Sequence, residues 1–217
     1  MRYANALRIV CLSAIVVAAA ACGGKIQYPK YYVLNVPSAP APSGAQARPL
    51  LGSVAVRNFS APSFLRSGPI VYRESAEQIN FYQYHRWAVD PRASVTNALL
   101  QNIQARGLFA SVTQYDGREA SDYLITGKLD QLEEIDNGRD VRVAVSVSAQ
   151  LMNLKTGEVI WRDTTSEVTR LEHRTVPGVV AEMSQAVQMS VDHLVSSMQK
   201  KLEPTPVSAI QTNIGQR

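Results

Sequence analysis

The sequence predicts an α+β domain, a mainly antiparallel sheet with two helices packed on one face. Short runs rich in aromatic and β-branched residues recur through the first half of the chain, and a strictly alternating valine-rich strand lies in the second half. Two longer segments have apolar residues three or four apart, as in helices with one buried face. Successive strands with one helix between them and one at the end favour helices on one side of a sheet.

The first predicted strand is YYVLNV, residues 31–36, which ends at Pro37. Residues 37–49 are almost wholly Pro, Ala, Ser and Gly, the composition of a flexible or polyproline-like connection. Either this connection is a long surface loop after a first strand, or an N-terminal tether continues to Pro49. We favour the loop. Three further short strands are predicted at GSVAVRNF, PIVYRE and INFYQYH.

A helix follows with clear start and stop signals. Asp90 suits the N-cap, Pro91 the first turn, and Gly107 the C-terminal stop. Apolar residues four apart line one face of this helix: Val95, Leu99 and Ile103. Two strands are predicted after it, at FASVTQY and DYLITGKLDQLEEI.

The clearest pattern in the chain is the alternation of apolar and mostly polar residues from Val141 to Leu151, which predicts a strand with one buried face. Gly157, in the connection NLKTGE, predicts an antiparallel hairpin with VIWRDTTSEV. A similar turn at residues 136–138 joins the preceding strand. Three sequential antiparallel strands are therefore predicted.

The last predicted element is an amphipathic helix from about Pro177 to Leu202. Its apolar stripe predicts a helix packed lengthwise on the sheet, and an exposed lipid-binding or partner helix is the alternative. Residues 203–217 are polar and contain proline, so we expect a disordered tail.

Residues 1–21 form an export signal, with two arginines and then thirteen largely apolar residues from Ile9 to Ala21. That run is shorter than the span of about 20 residues that a bilayer needs. Small residues abut Cys22, as in a bacterial lipobox, where the thiol is acylated and the peptide is cut before it. The alternative is ordinary cleavage with a free thiol, since Ala19 stands where lipoboxes usually have Leu. Acylation would anchor a tether of residues 22–30 ahead of a single domain over residues 31–202.

The composition excludes several functional classes. Without residues 1–21 the chain has 20 basic and 18 acidic side chains, and its formal charge falls from +4 to +2. This balance gives no basic stripe for nucleic acid. With Cys11 removed and Cys22 acylated, no thiol remains for a disulfide or a metal, and the three histidines lack metal-ligand spacing. We expect no cofactor.

Catalytic motifs are also missing from the sequence, which has no nucleophile elbow and no phosphate-binding loop. Glu133 and Glu134 are neighbours that face opposite ways on a strand. Together with nearby aspartates, they are expected to form a solvated hairpin tip. A triad of His85, Asp90 and a serine has no support from spacing. The chain is predicted not to be an enzyme.

Two stretches suit partner binding. NFSAPSFLRSGPIVYR places Phe59, Phe64 and Leu65 among turn residues, and exposed apolar patches mark interaction sites. FYQYHRWAVDP contains Arg86 and Trp87, which are residue types that dominate interfaces. These five are the candidate partner-binding residues. The alternatives are a loop folded onto its own core, and a tryptophan that anchors the following helix.

In order and spacing, these segments resemble the ABC-type transport auxiliary lipoproteins, a family of the paraquat-inducible protein C type. The resemblance rests on a lipobox ending at Cys22, on YYVL, on V-x-N-F-x-A-P-x-F-L, on RWA-x-D-P, and on a valine-rich strand leading to NLKTGEVIW. It spans about residues 22–202. The chain departs from the family pattern at Ala19 and in the insertion at residues 37–49.

The resemblance implies a lipoprotein at the periplasmic face of the outer membrane, held by acyl chains such as palmitate. Gly23 and Gly24, rather than an aspartate, follow the acylated cysteine, which agrees with that address. Implied partners are an ABC permease and ATPase, an MCE-type substrate-binding protein, and further copies of the chain. The implied task is intermembrane transport of lipid or another hydrophobic substrate. A pilot lipoprotein that assembles an outer-membrane pore or a lipopolysaccharide-export component is the competing interpretation.

Overall fold

The computed structural model describes residues 27–37, 49–66, 68–118, 120–172 and 174–203. The expected export signal, Cys22, most of the Pro-rich connection and the expected C-terminal tail lie outside these ranges.

The strands and helices follow one another along the chain in the predicted order. The strands are β1 Lys30–Tyr32, β2 Leu51–Val56, β3 Pro69–Arg73, β4 Asn80–Trp87, β5 Phe109–Gln114, β6 Tyr123–Asp136, β7 Val141–Asn153 and β8 Val159–Arg170. The α-helices are α1 Pro91–Arg106 and α2 Val176–Leu202, and a short 3₁₀ turn spans Ser63–Leu65. The α+β class is confirmed.

The longest ladders belong to an antiparallel meander of β6, β7 and β8. The alternating apolar residues of β7 all lie in the core, whereas their polar neighbours point to the opposite face. Helix α2 packs lengthwise on β7 and β8. The Thr175 hydroxyl accepts the Gly178 N–H to cap α2, and Asp90 accepts the Arg92 N–H to cap α1.

The second edge of β6 is shared between two smaller groups of strands. Its N-terminal half pairs in parallel with β2, where Val54 faces Tyr123, and β2 also pairs with β5. Its C-terminal half pairs in parallel with β3, where Tyr72 faces Glu134, and the sheet continues through β4 to β1. The chain must therefore cross from one half of β6 to the other between β2 and β3.

This crossing is fixed at Gly127, in the middle of β6. The Phe59 ring lies so close to the Gly127 backbone that a Cβ at position 127 would overlap the ring. Ser60 donates its N–H to the Gly127 carbonyl at 3.0 Å, and its own carbonyl accepts the Leu129 N–H at 2.9 Å. The Phe59 N–H reaches the buried Thr96 hydroxyl of α1 at 3.0 Å. Sheet, loop and helix meet at this crossing.

Strand β1 is shorter than predicted, because the chain leaves the sheet after Tyr32. Leu34 is buried, and the Asn35 N–H is donated to the Ser184 hydroxyl of α2 at 3.1 Å. The segment that follows β1 is thus held by a helix rather than by a neighbouring strand.

The prediction of a solvated tip at Glu133 and Glu134 is wrong, because both side chains are buried. They do face opposite ways. Arg73 places its Nε 2.9 Å from each carboxylate oxygen of Glu133, and the Tyr82 hydroxyl donates to Glu134 at 2.7 Å. Arg73 and Tyr82 belong to the β3–β4 pair. The two glutamates of β6 are therefore buried together with hydrogen-bonding partners, and their polarity does not indicate exposure.

We predict that Gly127→Ala lowers the free energy of unfolding by about 1–3 kcal/mol, the usual cost of overpacking a core. The added methyl overlaps the Phe59 ring, whose position is fixed by the hydrogen bonds of the crossing. Urea unfolding measures the change. The cost should fall in a Phe59→Leu background, since the smaller side chain leaves room for the methyl. Strictly additive effects of the two substitutions would contradict the contact.

Burial raises the pKa of the Glu134 carboxyl, against the opposing effect of the Tyr82 hydrogen bond. A raised pKa in the folded state means that stability is lost as pH rises from the ordinary glutamate value of about 4.3 through the folded value. We therefore expect Glu134→Gln to gain stability relative to the unmutated chain over this interval. Unfolding free energies measured across the pH range check this. Glu77→Gln, at an exposed site, should leave the pH dependence of the unfolding free energy as it is in the unmutated chain. The same pH dependence in both variants would contradict the prediction.

Candidate interaction surface

The two stretches predicted to bind a partner are brought together by the β3–β4 pairing. Pro69 lies opposite Arg86, and the Trp87 N–H donates to the Gly68 carbonyl at 2.9 Å. Gly68 has a φ of 103°, a conformation that favours glycine. The loop after β2 and the end of β4 thus form one continuous part of the molecule.

Three of the five candidate residues are core residues. Phe59, Leu65 and Trp87 are buried within this chain, so their side chains present no surface in this conformation. The loop folds back on its own core, as the alternative interpretation stated. A 3₁₀ turn, closed by the Leu65 N–H to the Pro62 carbonyl at 3.0 Å, directs Leu65 inward.

The remaining candidates are accessible. Phe64 is half-buried and packs against the edge of the core, and Arg86 is half-buried beside Gly68. Arg66 follows the 3₁₀ turn and is exposed. We call Phe64, Arg66 and Arg86 the loop surface. It combines one aromatic side chain with two guanidinium groups, the composition of an interface anchor.

The side chains considered for a triad do not assemble one. His85 Nδ1 lies 2.8 Å from the Tyr32 hydroxyl, and its imidazole has the Tyr82 ring at its edge. Burial, and then the charge of Lys30, lower the pKa of His85. The Asp90 carboxylate binds Arg92 instead, with Nε 3.0 Å from Oδ2. These contacts tie β1 to β4 and cap α1.

No group of three or more His, Cys, Asp or Glu side chains within the described ranges is arranged to hold a metal ion. A cleft of about 660 Å³ opens on the face of the sheet away from the helices. The Arg57 guanidinium carbon lies 4.6 Å from the Tyr115 ring centroid at its rim. The described lining contains the Arg57 cation, hydroxyl and amide groups, and apolar side chains.

Neither helix of the described part combines the length and apolarity of a membrane span. Sequence reasoning overlooked a second accessible apolar area, at the start of the domain. Tyr28, Tyr31, Val33 and Val89 are all exposed there. The available signal was the aromatic and apolar run of residues 31–33, which was interpreted only as part of a strand.

The fold is shared with solved structures of low sequence identity. Protein XCC0632 from Xanthomonas campestris, assigned to the DUF330 family, has a TM-score of 0.68 and 18% identity, over 79% of this chain and 96% of that chain. A crystal structure described as an uncharacterized protein has a TM-score of 0.61 and 14% identity, over 79% and 99% of the two chains. These likenesses show the fold. A search of the curated proteins finds no match.

A family model matches residues 32–195, from β1 into the last third of α2. Its description is ABC-type transport auxiliary lipoprotein component. The matched range includes the whole sheet from β2 to β8, the crossing at Gly127 and the loop surface. The resemblance inferred from the sequence is confirmed: the chain belongs to the ABC-type transport auxiliary lipoprotein component family.

Proposed function

We propose that this chain is a non-catalytic outer-membrane lipoprotein that tethers and docks the machinery of an ABC/MCE-type system for intermembrane transport. The transported substrate is a lipid or another hydrophobic molecule. The match to the auxiliary lipoprotein family over residues 32–195 is the observation that carries this proposal. The lipobox-like residues before Cys22 support the anchor.

The anchor and the domain have separate tasks in this proposal. Acyl chains on Cys22 keep the domain at the periplasmic face, because two or three chains bind a bilayer durably where one binds marginally. Residues 31–202 form the domain. Several copies around an axis would repeat the docking surface, and an inner-membrane-rooted MCE protein of the ABC system would meet them there.

The loop surface is the proposed docking site. Phe64 supplies an aromatic anchor, and Arg66 and Arg86 supply charge at its border. The loop that carries Phe64 is held against the core by three buried side chains, those of Phe59, Leu65 and Trp87. The role is mechanical in this proposal, and the side chains of His85, Glu134 and Asp90 serve contacts between strands and a helix cap.

We predict that Phe64→Asp removes most of the MCE-domain protein that co-purifies with the full-length acylated chain from membranes. A carboxylate at this position cannot fill an apolar pocket, and truncating an interface anchor typically costs 2 kcal/mol or more, about thirty-fold in affinity. Quantitative mass spectrometry of the purified complex measures the loss. Arg86→Ala should lower recovery in the same direction.

Phe81→Asp is the matched control, because Phe81 is an exposed phenylalanine at the opposite end of β4. It should leave recovery unchanged, and thermal melts should show that both variants are folded. Leu65→Asp is unsuitable, since Leu65 is buried and its substitution would unfold the loop. If folded Phe64→Asp recovers as much MCE-domain protein as the unmutated chain does, the loop surface is not the docking site. Recovery of an outer-membrane barrel or secretin in place of the MCE protein would favour the pilot interpretation.

A further inference from the structure

Apolar side chains at the start of the domain are far more exposed than is usual for their type. Tyr28 is 76% exposed, Tyr31 63%, Val33 53% and Val89 49%. We call these four residues the β1 patch. Single exposed apolar residues are ordinary, but a contiguous group marks a contact surface.

The four residues lie at one end of the domain because β1 pairs with the end of β4. Tyr31 lies in register with Arg86, on the side of β1 opposite to Tyr32, which contacts His85. The Tyr32 carbonyl accepts the Ala88 N–H at 2.7 Å, which holds together the two backbone segments that carry Val33 and Val89. Tyr28 lies on the same segment as Tyr31 and Val33.

The unpaired charges next to β1 are basic. Lys30 is exposed and lies in register with His85, and Arg86 lies in register with Tyr31. The sequence has no acidic residue from 23 to 37 or from 78 to 89, and Asp90, which follows Val89, is paired with Arg92. Tyrosines beside a lysine suit the headgroup layer of an anionic bilayer, where aromatic rings and cations are both favoured.

The chain length between Cys22 and the β1 patch restricts what can cover it. Six residue steps separate Cys22 from Tyr28, and a fully extended chain spans at most about 3.6 Å per residue, or roughly 20 Å. A domain of this size is about 40 Å across. Acyl chains on Cys22 would therefore hold the end of the domain that carries β1, and no other end, against the lipid surface.

A protein strand is the less suitable occupant of this edge. Strand β1 has three residues, so an added strand would gain few ladder hydrogen bonds. The chain also leaves the sheet at once to reach Ser184 of α2. The exposed area is supplied by side chains rather than by a long run of backbone groups.

We propose that the β1 patch rests in the headgroup layer of the membrane that holds Cys22, and so orients the domain instead of leaving it to swing on its tether. The inference depends on the anchoring in the proposed function. It adds a second contact, made by the folded domain itself, with the lipid bilayer as its occupant.

Site-specific fluorescence on the full-length acylated chain tests this contact. Signal removal eliminates Cys11 and acylation blocks Cys22, so an introduced cysteine is the only free thiol. An environment-sensitive label is placed at Val33→Cys or at Val168→Cys, in vesicles of phosphatidylethanolamine and phosphatidylglycerol. Val168 is the matched control, a valine that is 55% exposed, on β8. We expect several-fold stronger quenching by spin-labelled lipid at position 33 than at position 168.

Three results would overturn the proposal, and they can be told apart. A label at position 33 that stays open to aqueous iodide while the chain floats with the vesicles means that the anchor holds and the patch is free. Shielding from iodide without quenching by lipid means that a second copy or another protein covers the patch. A chain that does not float with the vesicles at all contradicts the anchoring itself.

Discussion

Phe59 lies directly on the backbone of Gly127, and the arrangement of both groups of strands beside β6 depends on this contact. Because no Cβ intervenes, the loop after β2 can cross the middle of β6 and bond to Gly127 and Leu129 on its way to β3. At the crossing, the Phe59 N–H also donates a hydrogen bond to the Thr96 hydroxyl of α1. The β2–β5 pair, the β3–β4–β1 group and the first helix are thereby held in one fixed relation, and the loop surface follows from it.

Local rules were enough to predict most elements, because their signals lie within a few residues. The alternation in β7, the Asp90 cap and the Gly157 turn each act over one strand or one helical turn. Three features required knowledge of partners far along the chain. Glu133 and Glu134 are buried because Arg73 and Tyr82 reach them from other strands. Strand β1 ends early because Ser184 offers a hydrogen bond. Gly127 matters only because Phe59 reaches it.

The β3–β4 pairing brings together the two stretches that contain the candidate partner-binding residues, and their role in binding stays a prediction. The sequence could not show which side chains turn inward. Packing assigns Phe59, Leu65 and Trp87 to the core and leaves Phe64 and Arg86 accessible, while the exposed tyrosines and valines near β1 form a separate area. In the proposed function, the area near β1 would face the membrane and the loop surface would face the partner.

The central claim is that the loop surface meets an MCE-domain protein in the cell. Photo-crosslinking tests it directly, with p-benzoylphenylalanine in place of Phe64 in living cells and the adduct identified by mass spectrometry. The same substitution at Phe81, on the far end of β4, serves as the reference position. We predict an adduct with an MCE-domain protein at position 64 and none at position 81. An adduct at position 64 with a barrel protein or a secretin, or equal adducts at both positions, would contradict the claim.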